Sequence, residues 1–155
     1  MDNDLQKIYA RMARLCSLRE QCRSDIYGKL EKLGVPRERA DEIIAGLCND
    51  KYIDELRYAR AFVHDKSSIQ GWGIARIKLV LQRKGLPQEA VAAAIEDIDC
   101  NKAEERLMEL MEAKWKSLSN ESDPLRKQAK LYRFALGRGY GYDQIKKAYD
   151  TVRTI

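Results

Sequence analysis

Three glycines divide the chain into copies of one helical unit. When Gly34, Gly85 and Gly139 are aligned, apolar residues fall at the same offsets before and after each glycine. The aligned positions are Ile26, Ile77 and Leu131 eight residues before the glycines, and Ala40, Val91 and Ile145 six residues after them. Because chance amphipathicity seldom keeps register across a turn, this pattern predicts a tandem repeat whose units bury little core alone.

The repeat units are predicted to be all-α. Apolar residues recur at steps of three and four along the chain, and no stretch combines period-two alternation with β-branched residues. We expect three tandem three-helix units, each with a helix-turn-helix outline, in an elongated and curved array. The unit boundaries are placed at residues 1–50, 51–99 and 100–155, with an internal linker at 117–124.

Helix starts are predicted at residues that can accept hydrogen bonds from first-turn amides, and at prolines. The predicted caps are Asn3 or Asp4, Ser24, Asp54, Asn101 in a capping box with Glu104, and Asp123, while Pro36, Pro87 and Pro124 are expected to open helices. Residues 67–73 contain two glycines and are predicted to form a turn. Phe62 and Ile77, on either side of that turn, are predicted core residues.

Positive charge is concentrated in two windows that contain no acidic residue. The net charge is +5, and the two windows lie between Asp65 and Glu89 and between Asp123 and Asp143. The basic residues in them are Lys66, Arg76, Lys78, Arg83 and Lys84, followed by Arg126, Lys127, Lys130, Arg133 and Arg138. We expect both windows to form one positive face toward a polyanion or an acidic protein surface, with Arg76 and Lys84 exposed. A solvated basic face is the alternative for either window alone.

No constellation in the sequence indicates catalysis or a bound cofactor. Four cysteines, Cys16, Cys22, Cys48 and Cys100, lack C-x-x-C spacing, and His64 is the only histidine. We therefore expect reduced thiols packed as small hydrophobes, no metal, no cofactor and no enzymatic activity. The first residues contain no apolar signal region and no apolar run is long enough to span a bilayer, so a cytoplasmic protein without membrane contact is expected.

The middle of the chain carries a family motif. Its residues are Asp54, Arg57, Tyr58, Ala59 and Phe62, then Gly71, Gly73, Arg76 and Ile77, and finally Leu81, Lys84, Gly85 and Leu86. Weaker matches lie at residues 22–34 and 130–149. In order and spacing the chain resembles the RecX family, bacterial regulators of the RecA recombinase. It differs from the commonest family pattern at Trp72, where many members carry a basic residue, and near Ala75.

The resemblance implies a non-enzymatic inhibitor that binds the RecA nucleoprotein filament along its groove. Strand exchange, ATP hydrolysis and coprotease activity would be restrained, with a place in DNA repair, recombination and the SOS response. It also implies weak, salt-dependent affinity for single- and double-stranded DNA, and we expect a monomer. The candidate contact residues are Arg57, Arg60, Lys66, Trp72, Arg76, Lys78, Arg83, Lys84, Lys127, Lys130, Arg133 and Arg138.

Two alternatives remain open on the sequence. A helix-turn-helix transcriptional regulator would need a reading helix, but the helices opening at Pro36 and Pro87 are poor in residues that address base edges. The positive charge lies on the preceding helix, which favours backbone or surface contact over base readout. Trp72 is interpreted either as a hydrophobic anchor for a protein partner or as a structural residue that closes the middle unit.

Overall fold

All regular structure in residues 2–155, the part of the chain described by this computed structural model, is helical. The all-α prediction is confirmed. The elements are α1 (Asn3–Leu18), α2 (Arg23–Lys32), α3 (Arg37–Asn49), α4 (Glu55–Val63), a π-helical segment (His64–Ile69), α5 (Ile74–Arg83), α6 (Gln88–Glu96), α7 (Cys100–Ser117), α8 (Pro124–Gly137) and α9 (Tyr142–Val152). Within residues 2–155, none of these helices has the length and apolarity needed to cross a bilayer.

The helices form two compact units. The first comprises residues 2–61 and 81–93, and in it α3 packs on both α1 and α2. Apolar residues at three- and four-residue spacing put one face of each of these helices into a common core. That core contains Leu5, Met12, Ile26, Leu30, Ile43 and Leu47, each at most 4% exposed.

The second compact unit comprises residues 62–80 and 94–155. Here α7 packs on both α8 and α9. Its core is formed by Leu107, Met111, Leu131, Ala135, Tyr140, Ile145 and Val152, each at most 4% exposed. The repeat boundaries at residues 50 and 99 stay a prediction. The aligned glycines Gly34, Gly85 and Gly139 all have positive φ, at 75°, 79° and 99°, as residues that end a helix in the left-handed conformation do.

Several helices begin earlier than predicted. Asp2 caps α1 through a 2.8 Å hydrogen bond from the Leu5 amide, in place of Asn3 or Asp4. Cys22, rather than Ser24, is the N-cap of α2, and Asp99 caps α7 in place of Asn101 with Glu104. At α1 and α7 the cap is an aspartate that precedes the predicted residue. A carboxylate is preferred there because its negative charge also interacts favourably with the helix dipole.

Other predicted helix starts hold, or shift by one residue. The Arg57 amide donates to Asp54 at 3.0 Å, and Asp123 caps α8 with Pro124 as its first residue. Pro36 lies one residue before α3, as its N-cap. Pro87 likewise precedes α6, which begins at Gln88.

The predicted turn at residues 67–73 is wrong in its first half. Helical structure continues as the π-helical segment to Ile69, and only then does the chain turn through Gln70 and Gly71. Ser67 is buried, and its hydroxyl donates to the Val63 carbonyl at 2.6 Å. A serine that bonds back to the preceding turn competes with the regular α-helical ladder, which is consistent with the wider helical turn at this position.

Candidate functional site

The candidate site is a cluster of cations and aromatic rings centred on Trp72 in the second unit. The Lys66 Nζ lies 4.9 Å from the Trp72 ring centroid, and the Arg76 guanidinium carbon lies 3.7 Å from it. Phe62, predicted as a core residue, is half-buried and meets Trp72 edge-to-face with centroids 6.1 Å apart. Two cations on one indole are attracted by the electron-rich ring, so their side chains are held in place.

Local backbone structure sets the positions of these side chains. The π-helical segment carries Lys66, and its carbonyl accepts a 2.7 Å hydrogen bond from the Trp72 amide. The helix α5 begins at Ile74 and so carries Arg76 in its first turn. The chain reversal between the two helices therefore brings both cations to the same ring.

A junction of two glycine turns brings the two basic windows together. The Gly73 amide donates to the Arg138 carbonyl at 2.7 Å, and the Ala75 amide donates to the Gly139 carbonyl at 3.1 Å. A methyl group at Gly73 would lie 2.3 Å from the Gly139 carbonyl carbon. Only glycine permits this backbone approach, which joins the start of α5 to the end of α8.

Arg138 connects the junction to a second aromatic ring. Its Nη1 donates to the Gln70 carbonyl at 3.2 Å, and its guanidinium carbon lies 5.2 Å from the Phe134 centroid. Lys114 approaches the same ring at 5.3 Å. Trp115 follows Lys114 on α7, and the Lys127 Nζ lies 3.8 Å from the centroid of its ring. The cation–aromatic cluster thus comprises Lys66, Trp72, Arg76, Lys114, Trp115, Lys127, Phe134 and Arg138.

Lys114, Trp115 and Phe134 were not among the candidate residues predicted from the sequence. Lys114 lies outside both acid-free windows, among the glutamates of α7. A search for basic residues beside aromatic ones would have found it, because Lys114 and Lys116 flank Trp115. Phe134 lies in the second window and, like Trp115, is half-buried.

Most cations of the cluster form no ion pair with a carboxylate of the described residues. Lys66 lies 3.4 Å from Asp65, whereas Arg76, Lys114, Lys127 and Arg138 form no ion pair with any carboxylate of residues 2–155. A guanidinium stacked on a ring keeps its N–H edge for a carboxylate or a phosphate. The arrangement can therefore bind an anionic surface.

Two candidate residues of the first unit are engaged in ion pairs. The Arg57 Nε donates to both carboxylate oxygens of Glu20, at 2.8 and 2.5 Å. Its Nη2 donates to the carbonyls of Lys51 and Tyr52. The Lys84 Nζ donates to Asp25 at 2.9 Å, and its side chain is 31% exposed.

The expected exposure of Arg76 and Lys84 is wrong, because both are half-buried. Burial alone would lower the pKa of Lys84, but hydrogen bonds with Asp25 and Tyr58 outweigh it and raise that pKa. Burial also raises the pKa of Tyr58 to about 12. Lys84 therefore stays charged as a partner of Asp25, which the sequence could not indicate because the two residues are 59 positions apart.

The remaining candidates lie at the surface. Arg60, Lys78, Arg83 and Arg133 are exposed, and exposed Lys130 pairs with Glu121 at 2.6 Å. Among residues 2–155, no group of His, Cys, Asp and Glu has an arrangement that could hold a metal ion. All four cysteines are free thiols; Cys16 and Cys22 are buried as predicted, whereas Cys100 is exposed.

Comparisons with known proteins identify relatives of both units. Family models described as the second and the third three-helix domain of RecX match residues 54–95 and 103–149. The chain is 32% identical over 142 residues to the regulatory protein RecX of Clostridium botulinum (strain Alaska E43 / Type E3), covering 90% of this chain and 66% of that protein. It is 24% identical over 157 residues to the regulatory protein RecX of Prosthecochloris aestuarii, covering 99% and 98%.

The fold is also shared with solved structures. The crystal structure of RecX from Lactobacillus salivarius superimposes with a TM-score of 0.82 at 24% identity, covering the whole of both chains. The chain spans about two thirds of the length of the Clostridium botulinum Alaska E43 relative. It spans 55% of the length of the regulatory protein RecX from Clostridium botulinum strain Eklund 17B. The predicted three-helix repeat fold is thereby confirmed.

Proposed function

The chain belongs to the RecX family of regulatory proteins, and we propose that it binds the RecA nucleoprotein filament and inhibits it. Inhibition would restrain strand exchange, ATP hydrolysis and coprotease activity by occupying a surface, with no chemistry by the chain itself. The observation that carries this proposal is the cation–aromatic cluster, whose residues all lie within the segments that match the RecX domains. The proposed setting is the cytoplasm, where such a filament assembles, and the proposed active form is a monomer.

The cluster is proposed to face acidic protein surface of the filament, with Arg76 and Arg138 at its centre. These two residues flank the glycine junction, and neither guanidinium is paired with a carboxylate within residues 2–155. Exposed Arg60, Lys78, Arg83, Lys130 and Arg133 are proposed to add long-range attraction, which speeds encounter more than it strengthens the complex. Arg57 and Lys84, whose charges are matched by Glu20 and Asp25, are proposed to stabilise the first unit instead.

A weaker contact with single- and double-stranded DNA is proposed for the same cluster, because phosphate offers the same anionic oxygens. Aromatic rings beside cations suit nucleic-acid backbones and bases without sequence preference. Base readout is not supported: α6, with the sequence QEAVAAAIE, carries no basic residue. A transcriptional regulator that reads a defined site is therefore not proposed.

The test is inhibition of RecA on single-stranded DNA by the purified protein at near-stoichiometric ratio. Strand exchange and ATP hydrolysis should both slow, and failure of either to slow at this ratio would overturn the proposal. The double variant R76E/R138E should lose most of the inhibition. The matched control K7E/R14E reverses two exposed charges on α1 and should inhibit like the natural protein.

A further inference from the structure

A groove between α7 and α9 lies apart from the cation–aromatic cluster and shares no residue with it. It has a volume of about 510 Å³ and is lined by residues of these two helices alone. Its apolar lining comes from Leu107, Met108 and Ala148, of which Met108 and Ala148 are half-buried and so partly open to solvent. An apolar groove of this size between two helices is a common seat for a small ligand or a partner helix.

The rim of the groove is acidic although the chain as a whole is basic. Glu104, Glu105 and Asp143 line it, against the single cation Lys147, while the net charge of the chain is +5. Within residues 2–155, none of these three carboxylates takes part in an ion pair. Unpaired carboxylates around an apolar lining are complementary to an apolar surface edged by cations.

We propose that this groove binds an amphipathic helix of another protein, with an apolar stripe flanked by lysine or arginine. The lining residues of α9 run from Asp143 to Thr151, about 12 Å at the helical rise, which matches about two turns of a partner helix. Such a helix would place apolar side chains at i, i+3 or i+4, and i+7 against Met108 and Ala148. Its cations would meet Glu104 and Glu105, and the acidic rim would repel nucleic acid.

This inference does not depend on the proposed inhibition of RecA, because it uses a different surface and the opposite sign of charge. The two can therefore fail separately. A variant of the acidic rim should keep its inhibition of strand exchange, and R76E/R138E should keep its binding of the helix.

The experiment measures the anisotropy of a fluorescent helix-forming peptide titrated with the full chain. The peptide has leucines at i, i+4 and i+7 flanked by lysines, and two control peptides replace either the leucines by serine or the lysines by glutamate. We expect saturable binding of the first peptide only. The variant E104K/E105K should weaken that binding about tenfold or more, because two attractions become repulsions.

The matched control is E38K/E42K, which makes the same change in net charge at two exposed positions of α3, outside the groove. It should bind the peptide within about twofold of the natural chain, because neither charge lines the groove. Met108→Gln, checked by thermal unfolding, should weaken binding through the apolar lining. Equal binding by E104K/E105K and E38K/E42K, or equal binding of the serine peptide and the leucine peptide, would overturn the proposal. So would self-association of the chain that E104K/E105K abolishes, since the occupant would then be a second copy.

Discussion

The guanidinium carbon of Arg76 lies 3.7 Å from the centroid of the Trp72 ring. The flat face of the guanidinium is covered, while no carboxylate of residues 2–155 pairs with it. A side chain already held in one position loses less freedom when it binds an anion. We therefore propose that Trp72 positions the cations of the basic cluster, a role that lies between the two interpretations left open by the sequence.

Replacing Trp72 by alanine should weaken both the fold and the inhibition of RecA. The ring orders Lys66 and Arg76 but is itself half-buried, so we expect a loss of about 2 kcal/mol in unfolding free energy. Strand-exchange assays should show inhibition reduced by about tenfold, the effect of some 1.4 kcal/mol of binding. Trp72→Phe keeps an aromatic face and should retain much of the inhibition. Full inhibition by Trp72→Ala would show that the ring does not position the cations that matter.

Substituting alanine for Gly73 should destabilise the second unit. The new methyl group would lie 2.3 Å from the Gly139 carbonyl carbon, so backbone must move and the hydrogen bonds across the junction must lengthen. We expect a cost of about 2 kcal/mol or more, measured by urea unfolding. Gly28→Ala is the matched control, because a methyl group there meets nothing within 4 Å. In the helix α2 that substitution should stabilise by about 0.5–1 kcal/mol. Equal changes in unfolding free energy for Gly73→Ala and Gly28→Ala would show that the close approach of Gly73 to Gly139 does not cause the destabilisation.

Local features of the fold were readable from the sequence, whereas long-range ones were not. Helices such as α8 follow from apolar periodicity and an Asp–Pro start, which involve neighbours in the chain. The backbone approach of Gly73 to Gly139, and the hydrogen bond from the Tyr140 hydroxyl to the Gly71 carbonyl, join residues far apart. A glycine turn indicates conformational freedom but not the segment that will pack on it.

The candidate site was predicted only in part, because it too depends on both local sequence and long-range contacts. Charge windows located Lys66, Arg76, Lys127 and Arg138, because an absence of acids is visible in the chain order. They could not show that Asp25 neutralises Lys84, or that Lys114 joins Arg138 at Phe134. Which cations stay unpaired depends on tertiary contacts, and so does the position of the candidate binding face.

Replacing Lys84 by methionine should destabilise the first unit at neutral pH. The change leaves Asp25 without its partner, at a cost of about 1 kcal/mol for this partly exposed pair. Although burial raises the pKa of Asp25, hydrogen bonds from Lys84 and the Cys22 amide outweigh burial and lower it. The ionised Asp25 therefore stabilises the folded chain at pH values above the pKa that this carboxyl has in the unfolded chain. That stabilisation is lost as the pH falls through its lower pKa in the folded chain.

The cost of Lys84→Met should therefore shrink in acid. Urea unfolding at pH 7 and at pH values descending below 4 would measure this difference between the natural chain and the variant. Lys78→Met, an exposed lysine without an ion pair among residues 2–155, is the control and should change stability little at either pH. A cost for Lys84→Met that stays constant into acid would mean that Asp25 is not the group it stabilises.

Affinity for DNA should fall steeply with salt if the cation–aromatic cluster touches phosphate. The cluster contains five cations, Lys66, Arg76, Lys114, Lys127 and Arg138. Five phosphate contacts would give a slope of about −4 to −5 for duplex DNA in a plot of log affinity against log salt, and about −3 to −4 for single strands. Neutralising two of the contacts with R76Q/R138Q should reduce the slope by about 1.8 for duplex DNA and by about 1.4 for single strands. Anisotropy titrations from about 50 to 200 mM salt cover the range in which such slopes are resolved. An unchanged slope in R76Q/R138Q would place the phosphate contacts elsewhere, because a slope counts the contacts made whatever their individual strengths.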